Sequence, residues 1–206
     1  SLLCLPERGQ KFVEKEYARQ WSQRTAVDIL GTKKKASAVV WRNQGFLMDG
    51  NGLKRVYLLF IMRLIEALKP KSVLEVGSGT GINLFVLASR FPGITFSGVE
   101  LTNEGVSAAR TMKRERRLPE ILETYSPLKC QDQEAFKFVC FQQATAENMP
   151  FSDSNFDLVF TCLALEQMKA IQSSALLEIG RVSKSSVVMI EPFAECNSSR
   201  MRKHRI

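Results

Sequence analysis

Histidine is almost absent from this chain. The single one, His204, lies in a basic tail, so a general base elsewhere has to be a carboxylate. Cysteine is sparse and unpaired: Cys4, Cys130, Cys140, Cys162 and Cys196 are odd in number and include no C-x-x-C pair. That argues against a disulfide framework and reads as the reduced thiols of a cytoplasmic protein. No metal site is expected. Long apolar runs are missing as well. The longest, Val56 to Met62, is far too short to span a bilayer, and no charged-then-apolar leader stands at the start. A soluble, unsecreted protein with no membrane partner is expected, and neither an internal repeat nor a long low-complexity stretch suggests a fibrous or solenoid architecture.

What is present is basic charge and a sizeable apolar fraction. Lysine and arginine exceed the acids by 29 to 21, a net charge of +8, clustered at Lys33 to Lys35, Lys113 to Arg117 and Arg200 to Arg205. Few aromatics are interleaved with these runs, so they read as solvated faces and tails rather than a polyanion groove; a nucleic-acid partner stays open but is not favoured. A chain of 206 residues with 45% apolar content suits one compact domain with a substantial core.

The densest signal is Ser72 to Gly81, an apolar run that breaks into the alternate glycines Gly77, Gly79 and Gly81 and then into the helical pattern Ile82 to Phe91. A strand ending in such a loop lets a ligand touch backbone, and the free amides opening the next helix attract polar or negative groups. Around it the elements alternate. Strands are expected at Ser72 to Val76, Ile94 to Val99, Phe138 to Gln142, Phe156 to Cys162 and Ser185 to Ile190, with helices at Ile82 to Phe91, Asn103 to Arg117 and Ser173 to Val182. This is an α/β pattern: a doubly wound, mostly parallel sheet with helices on both faces. Residues 1–70 show no strand-rich pattern. Glu14 to Leu30, stopped by Gly31, and Leu53 to Leu68, closed by Lys69-Pro70, read as helices joined by a glycine-marked connection, together a helical cap on the core at 71–206 within the same domain. Pro119 to Glu134 reads as a mobile loop.

A third glycine at position 82 would make the dinucleotide fingerprint G-x-G-x-x-G, but Ile82 stands there and the glycines alternate behind Glu75. This E-x-G-x-G-x-G form resembles the first motif of class I S-adenosylmethionine-dependent methyltransferases, whose sheet is Rossmann-like. The likeness continues in order: a second strand ending in Glu100, then Ala144 to Phe160, similar to the family's adenine-side loop and fourth strand. The resemblance implies S-adenosylmethionine as cofactor, with Glu75, Gly77, Ser78, Gly79 and Gly81 at its methionine end and Glu100 with Leu101 at the ribose. Thr145, Ala146 and Glu147 would face the adenine, and Cys162 and Leu163 would close the site at the end of the fourth strand. Thr145 stands where relatives usually carry an acid, and Glu166-Gln167 where many carry histidine. The resemblance implies a further strand pair after the fifth strand, yet only a polar, basic stretch follows Ile190; either the sequence is truncated there or the sheet closes differently, and an edge left exposed would suit a partner, a homodimer among them.

Carboxylates near the strand ends, Glu191 and Glu166, are the candidate bases for a hydroxyl acceptor, and Tyr17, Trp21 and Trp41 are candidates for an aromatic lid over it. Thr161-Cys162-Leu163-Ala164 stands where Asn-Pro-Pro-Tyr would mark methylation of exocyclic or amide nitrogens, and no paired-cysteine signature points to cytosine C5 chemistry. A small-molecule acceptor is the expectation. An RNA or protein methyltransferase using the basic surface, and a non-catalytic scaffold of the same fold, are the alternatives.

Overall fold

The structure, a computed structural model, describes residues 9–31, 36–41, 44–48 and 50–193. Cys4, Cys196, His204, the Lys33 to Lys35 run and the Arg200 to Arg205 tail lie outside the described residues.

A five-stranded parallel sheet organises the molecule. Its strands are β3 (Ser72–Val76), β4 (Thr95–Glu100), β5 (Cys140–Gln143), β6 (Phe156–Cys162) and β7 (Ser183–Ile190), in the order β5-β4-β3-β6-β7. The chain runs outward from β3 to β5, then returns to lay β6 on the other side of β3, so strand order reverses between β3 and β6. β3 and β6 are buried on both faces and read as near-continuous apolar runs, as parallel sheets require. Helices α3 (Gly50–Leu68), α4 (Ile82–Arg90) and α5 (Asn103–Met112) pack with α2 (Ala26–Gly31) and α6 (Glu120–Tyr125) into one core, which includes Val73 and Phe85. On the other face α7 (Gln172–Val182) covers Leu74, Val76 and Val159. Among the described residues no strand pairs with the outer edge of β7, where Val187 is exposed. No described helix is long and apolar enough to cross a membrane.

The N-terminal segment differs from the sequence expectation in two ways. The helix expected from Glu14 to Leu30 is two helices, α1 (Gln10–Trp21) and α2. Thr25 and Asp28 form a reciprocal cap that restarts the helix: the Thr25 amide and hydroxyl donate to Asp28 Oδ2 at 2.8 and 2.7 Å, and the Asp28 amide donates to Thr25 Oγ1 at 3.2 Å. The connection thought strand-free also holds an antiparallel pair, β1 (Ser37–Trp41) and β2 (Gln44–Met48), in register from Ser37 opposite Met48 to Trp41 opposite Gln44. Gly45 within β2, with Gly50 and Gly52 just after it, masked the two short apolar runs.

Two further differences lie on one side of the sheet. The third strand starts at Cys140 rather than Phe138, because Ala135–Phe138 forms a 3-10 turn that leaves Phe138 exposed. Pro119 to Glu134 is not a loose loop either. It carries α6, which seats Leu122 and Tyr125 in the core beside α2, and its polar residues hold backbone: the Leu118 amide donates to Gln133 O, and the Gln131 and Asp132 amides both donate to Ser89 O at the end of α4. Leu122 is fully buried, so Leu122→Ala is expected to cost about 2–5 kcal/mol in urea unfolding. A cost below about 1 kcal/mol would mean that the segment is not part of the core.

Candidate functional site

Open parallel sheets bind ligands beyond their carboxyl ends, near the reversal of strand order. The main cleft lies there, between the ends of β3, β4 and β6, under α1 and α2.

Its floor is the glycine loop, held by backbone on one side and by a carboxylate on the other. The Gly77 and Ser78 amides donate to Val99 O at 2.8 and 3.0 Å, and the Gly79 amide donates to Glu100 Oε2 at 3.0 Å. These amides are therefore engaged within the protein rather than free. All three glycines have positive φ, 79°, 53° and 82°. Their reasons differ: a Cβ on Gly77 would lie 2.5 Å from Ala164 Cβ, one on Gly79 would face the Trp21 ring at 3.3 Å, and one on Gly81 would strike Phe141 at 2.6 Å. Gly81 thus serves the packing of α4 against the sheet, and among the cleft-lining residues it has no place.

Glu100, at the end of β4, is buried. Its Oε1 accepts from the Thr102 amide at 3.0 Å and the Thr102 hydroxyl at 2.7 Å, while Thr102 also caps α5 by accepting from the Gly105 amide. Glu100 and Leu101 both line the cleft. Glu75 is buried still more deeply, 2% exposed. Asn83 Nδ2 donates to its Oε1 at 2.7 Å, and its Oε2 is buried with no hydrogen-bond partner. Burial pushes its pKa from 4.5 up to about 8, against the Asn83 hydrogen bond and with help from the negative charge of Glu100, so the carboxyl is neutral near pH 7. Cys162, beside it, is pushed up to about 12 by burial and by Glu75, and burial likewise raises Tyr125.

The turn after β6 completes the wall. Leu163 lines the cleft with φ of 55°, a left-handed conformation costly for a side chain of its size and of the kind that collects at functional sites. Glu191 braces this turn: its Oε1 accepts from the Ala164 and Leu165 amides, both at 3.1 Å, and burial raises its pKa. Neither Glu191 nor Glu166 lines the cleft; Gln167 and Met168 do. On the adenine side Ala146 lines it, whereas Thr145 pairs with Asn148 and Glu147 accepts from Ser174 Oγ on α7 at 3.0 Å, outside the cleft. The roof comes from α1, where Tyr17 and Trp21 pack with ring centroids 5.7 Å apart. Trp41 stands at the end of β1, and its side chain lies outside the described residues.

Residues the sequence reading did not single out also face the cleft: Asn83, Tyr125, Lys54 and Leu30 among them. A lone polar residue in the first turn of the apolar helix Ile82 to Phe91 was a usable signal for Asn83. Tyr125 was hidden by the polar composition around it. No cluster of metal-ligating side chains occurs among the described residues.

An α/β domain whose alternating-glycine loop and two buried acids face a cleft at the strand reversal is a nucleotide-type cofactor domain. A family model described as "Methyltransferase domain" matches residues 74–190, more than half of the sequence, and the chain belongs to that family. S-adenosylmethionine is the cosubstrate that goes with it. Solved structures share the fold: the [4+2]-cyclase SpnF at 22% identity, TM-score 0.51, over 84% of this chain and 56% of that one; PH0226 from Pyrococcus horikoshii at 18%, TM-score 0.51, over 84% and 64%; and a SAM-dependent methyltransferase from Aquifex aeolicus at 15%, TM-score 0.50, over 74% and 80%. The chain spans less than two thirds of the first two.

The neutral Glu75 leaves a mark on stability. A carboxyl whose pKa is raised in the folded state is protonated there while the unfolded chain ionises, so stability falls as pH rises from about 4.5 to about 8, at about 1.4 kcal/mol per unit. The acids with lowered values, such as Asp157 and Glu178, act below that window. Glu75→Gln is expected to flatten the decline and to be more stable than wild type by several kcal/mol at about pH 8 in urea unfolding. Parallel profiles for the two proteins would contradict this.

Proposed function

We propose that this chain is a S-adenosylmethionine-dependent methyltransferase that acts on a small-molecule acceptor enclosed beneath α1 and α2. The observation that carries the reading is the position of Trp21: its indole lies over Gly79, so α1, with Ile29 and Leu30 of α2, roofs the glycine loop.

The residues present fit the cofactor. Glu75 Oε2, buried and unpartnered, suits the ammonium of its methionine end. Glu100 is already engaged by Gly79 and Thr102, yet a carboxylate has about four lone-pair positions and can accept from ribose hydroxyls as well. Ala144 and Ala146 offer a small, apolar edge for the adenine. When bound, the cofactor supplies an electrophilic sulfonium methyl. The protein's part is alignment and exclusion of water: Trp21, Tyr17 and Leu30 shield the cleft, and transfer by in-line displacement gains most from holding nucleophile and methyl at attack distance. Glu191 supports this indirectly, fixing the Leu163 turn.

The described basic run does not favour an RNA acceptor. Lys113 Nζ donates to Val139 O, just ahead of β5, so Lys113 to Arg117 follows α5 to the amino ends of the strands, opposite the cleft.

Calorimetry with S-adenosylhomocysteine tests the reading. Wild type is expected to bind it, with little dependence on salt for any acceptor found in a metabolite methylation screen, and Gly79→Val is expected to abolish binding while circular dichroism stays unchanged. Undiminished affinity in a folded Gly79→Val protein would overturn the cofactor assignment. Tight, steeply salt-dependent RNA binding would replace the small-molecule acceptor with a polyanion.

A further inference from the structure

We propose that Asn83 is a positioning residue for the cofactor's amino-acid end: by donating to Glu75 Oε1 it turns the buried carboxyl so that Oε2 is left to receive a cationic group. The inference rests on the cofactor reading above and extends it to a residue outside the glycine motif.

The geometry leaves Glu75 one support. It stands one residue from the carboxyl end of the sheet's central strand, 2% exposed, and Asn83 Nδ2, at 2.7 Å, is the hydrogen bond its carboxyl makes among the described residues. Asn83 follows Gly81 and Ile82 in the first turn of α4, half-buried and lining the cleft, in a helix whose next six residues, Leu84 to Ser89, are all buried. A polar side chain there gives up packing area, and what it gains is this contact. The other oxygen is buried without any partner, a state that a buried carboxyl keeps at substantial cost unless something completes it. An ammonium arriving in the cleft would complete it.

Charge adds a testable signature. Glu75 is neutral near pH 7, and pairing with a cation favours the ionised form, so binding should release a proton. The groups facing Glu75 are Glu100, whose charge opposes its ionisation, and Cys162 and Tyr125, both held neutral by burial, with Lys54 exposed at the rim beside Cys162. The Asn83 hydrogen bond favours ionisation of Glu75, so its loss moves proton release to higher pH.

Two probes separate this from a merely structural role. S-adenosylhomocysteine carries the amino-acid tail; 5′-methylthioadenosine keeps the adenosine thioether and lacks it. Their affinities are measured by calorimetry for wild type, Asn83→Ala and Asn83→Gln at several values from about pH 6.5 to about pH 8.5. Asn83→Ala is expected to weaken S-adenosylhomocysteine about tenfold near neutral pH, to leave 5′-methylthioadenosine within about twofold, and to move the rise of affinity with pH upward; Asn83→Gln, which keeps the donor, recovers most of the loss. The ligand's own amine titrates alike in every case, so differences between profiles belong to the protein. Equal losses for both probes, or an unchanged S-adenosylhomocysteine profile, would overturn the proposal. Failure of wild type to bind either probe would instead remove the cofactor reading.

Discussion

The carboxylate of Glu100 is the fastening on which the site depends. It ties three pieces of chain together: the end of β4, the glycine loop through the Gly79 amide, and the start of α5 through Thr102. Hydrogen bonds to a charged acceptor contribute about 1.5–3 kcal/mol each. That is enough to hold Gly77, Gly79 and Gly81 in their left-handed conformations and so fix the opening of α4. Space around this fastening is tight. A Cβ on Gly105 would lie 2.7 Å from Glu100 Cγ, and one on Gly98 would strike Leu84 and Ser78, so glycine is required beside the carboxylate as well as in the loop.

Around that fastening the protein keeps groups that cost stability. Glu75 is buried with an oxygen unsatisfied, and Leu163 holds a positive φ under the brace of Glu191. Both face the cleft and neither improves the core. Such costs fit a site shaped for a ligand, in which a charged partner completes the unsatisfied groups. The family match and the geometry converge here, because the matched residues 74–190 run from the start of the glycine motif to the end of β7.

The sheet was legible in the sequence because β3, β6 and the end of β7 are short apolar runs bounded by loop residues, and the glycine loop because alternate glycines have few other uses. The N-terminal segment was less so. Its helix break depends on the Thr25 and Asp28 cap, whose pattern is weak amid helical residues, and the β1–β2 pair hides among glycines. The stretch from Pro119 to Glu134 looked like solvent because Ser126, Asp132 and several amides bond to backbone, while Leu122, Tyr125 and Cys130 enter the core and Ile121 and Leu128 pack against it. At the site, motif spacing identified Glu75 and Glu100 as cleft acids. It did not show that Gly81 serves packing, that Glu191 props a turn, or that Asn83 holds Glu75, since each of those depends on contacts between segments distant in sequence or on different elements.

The central claim is that one cradle, fastened by Glu100 and roofed by α1, receives the cofactor. Amide hydrogen exchange with and without S-adenosylhomocysteine tests it most directly. The account predicts slower exchange on binding in three separate stretches, residues 10–21, 77–83 and 98–105, with the β1–β2 pair unchanged. Protection confined to other regions, or none at 77–83 under saturating ligand, would contradict it.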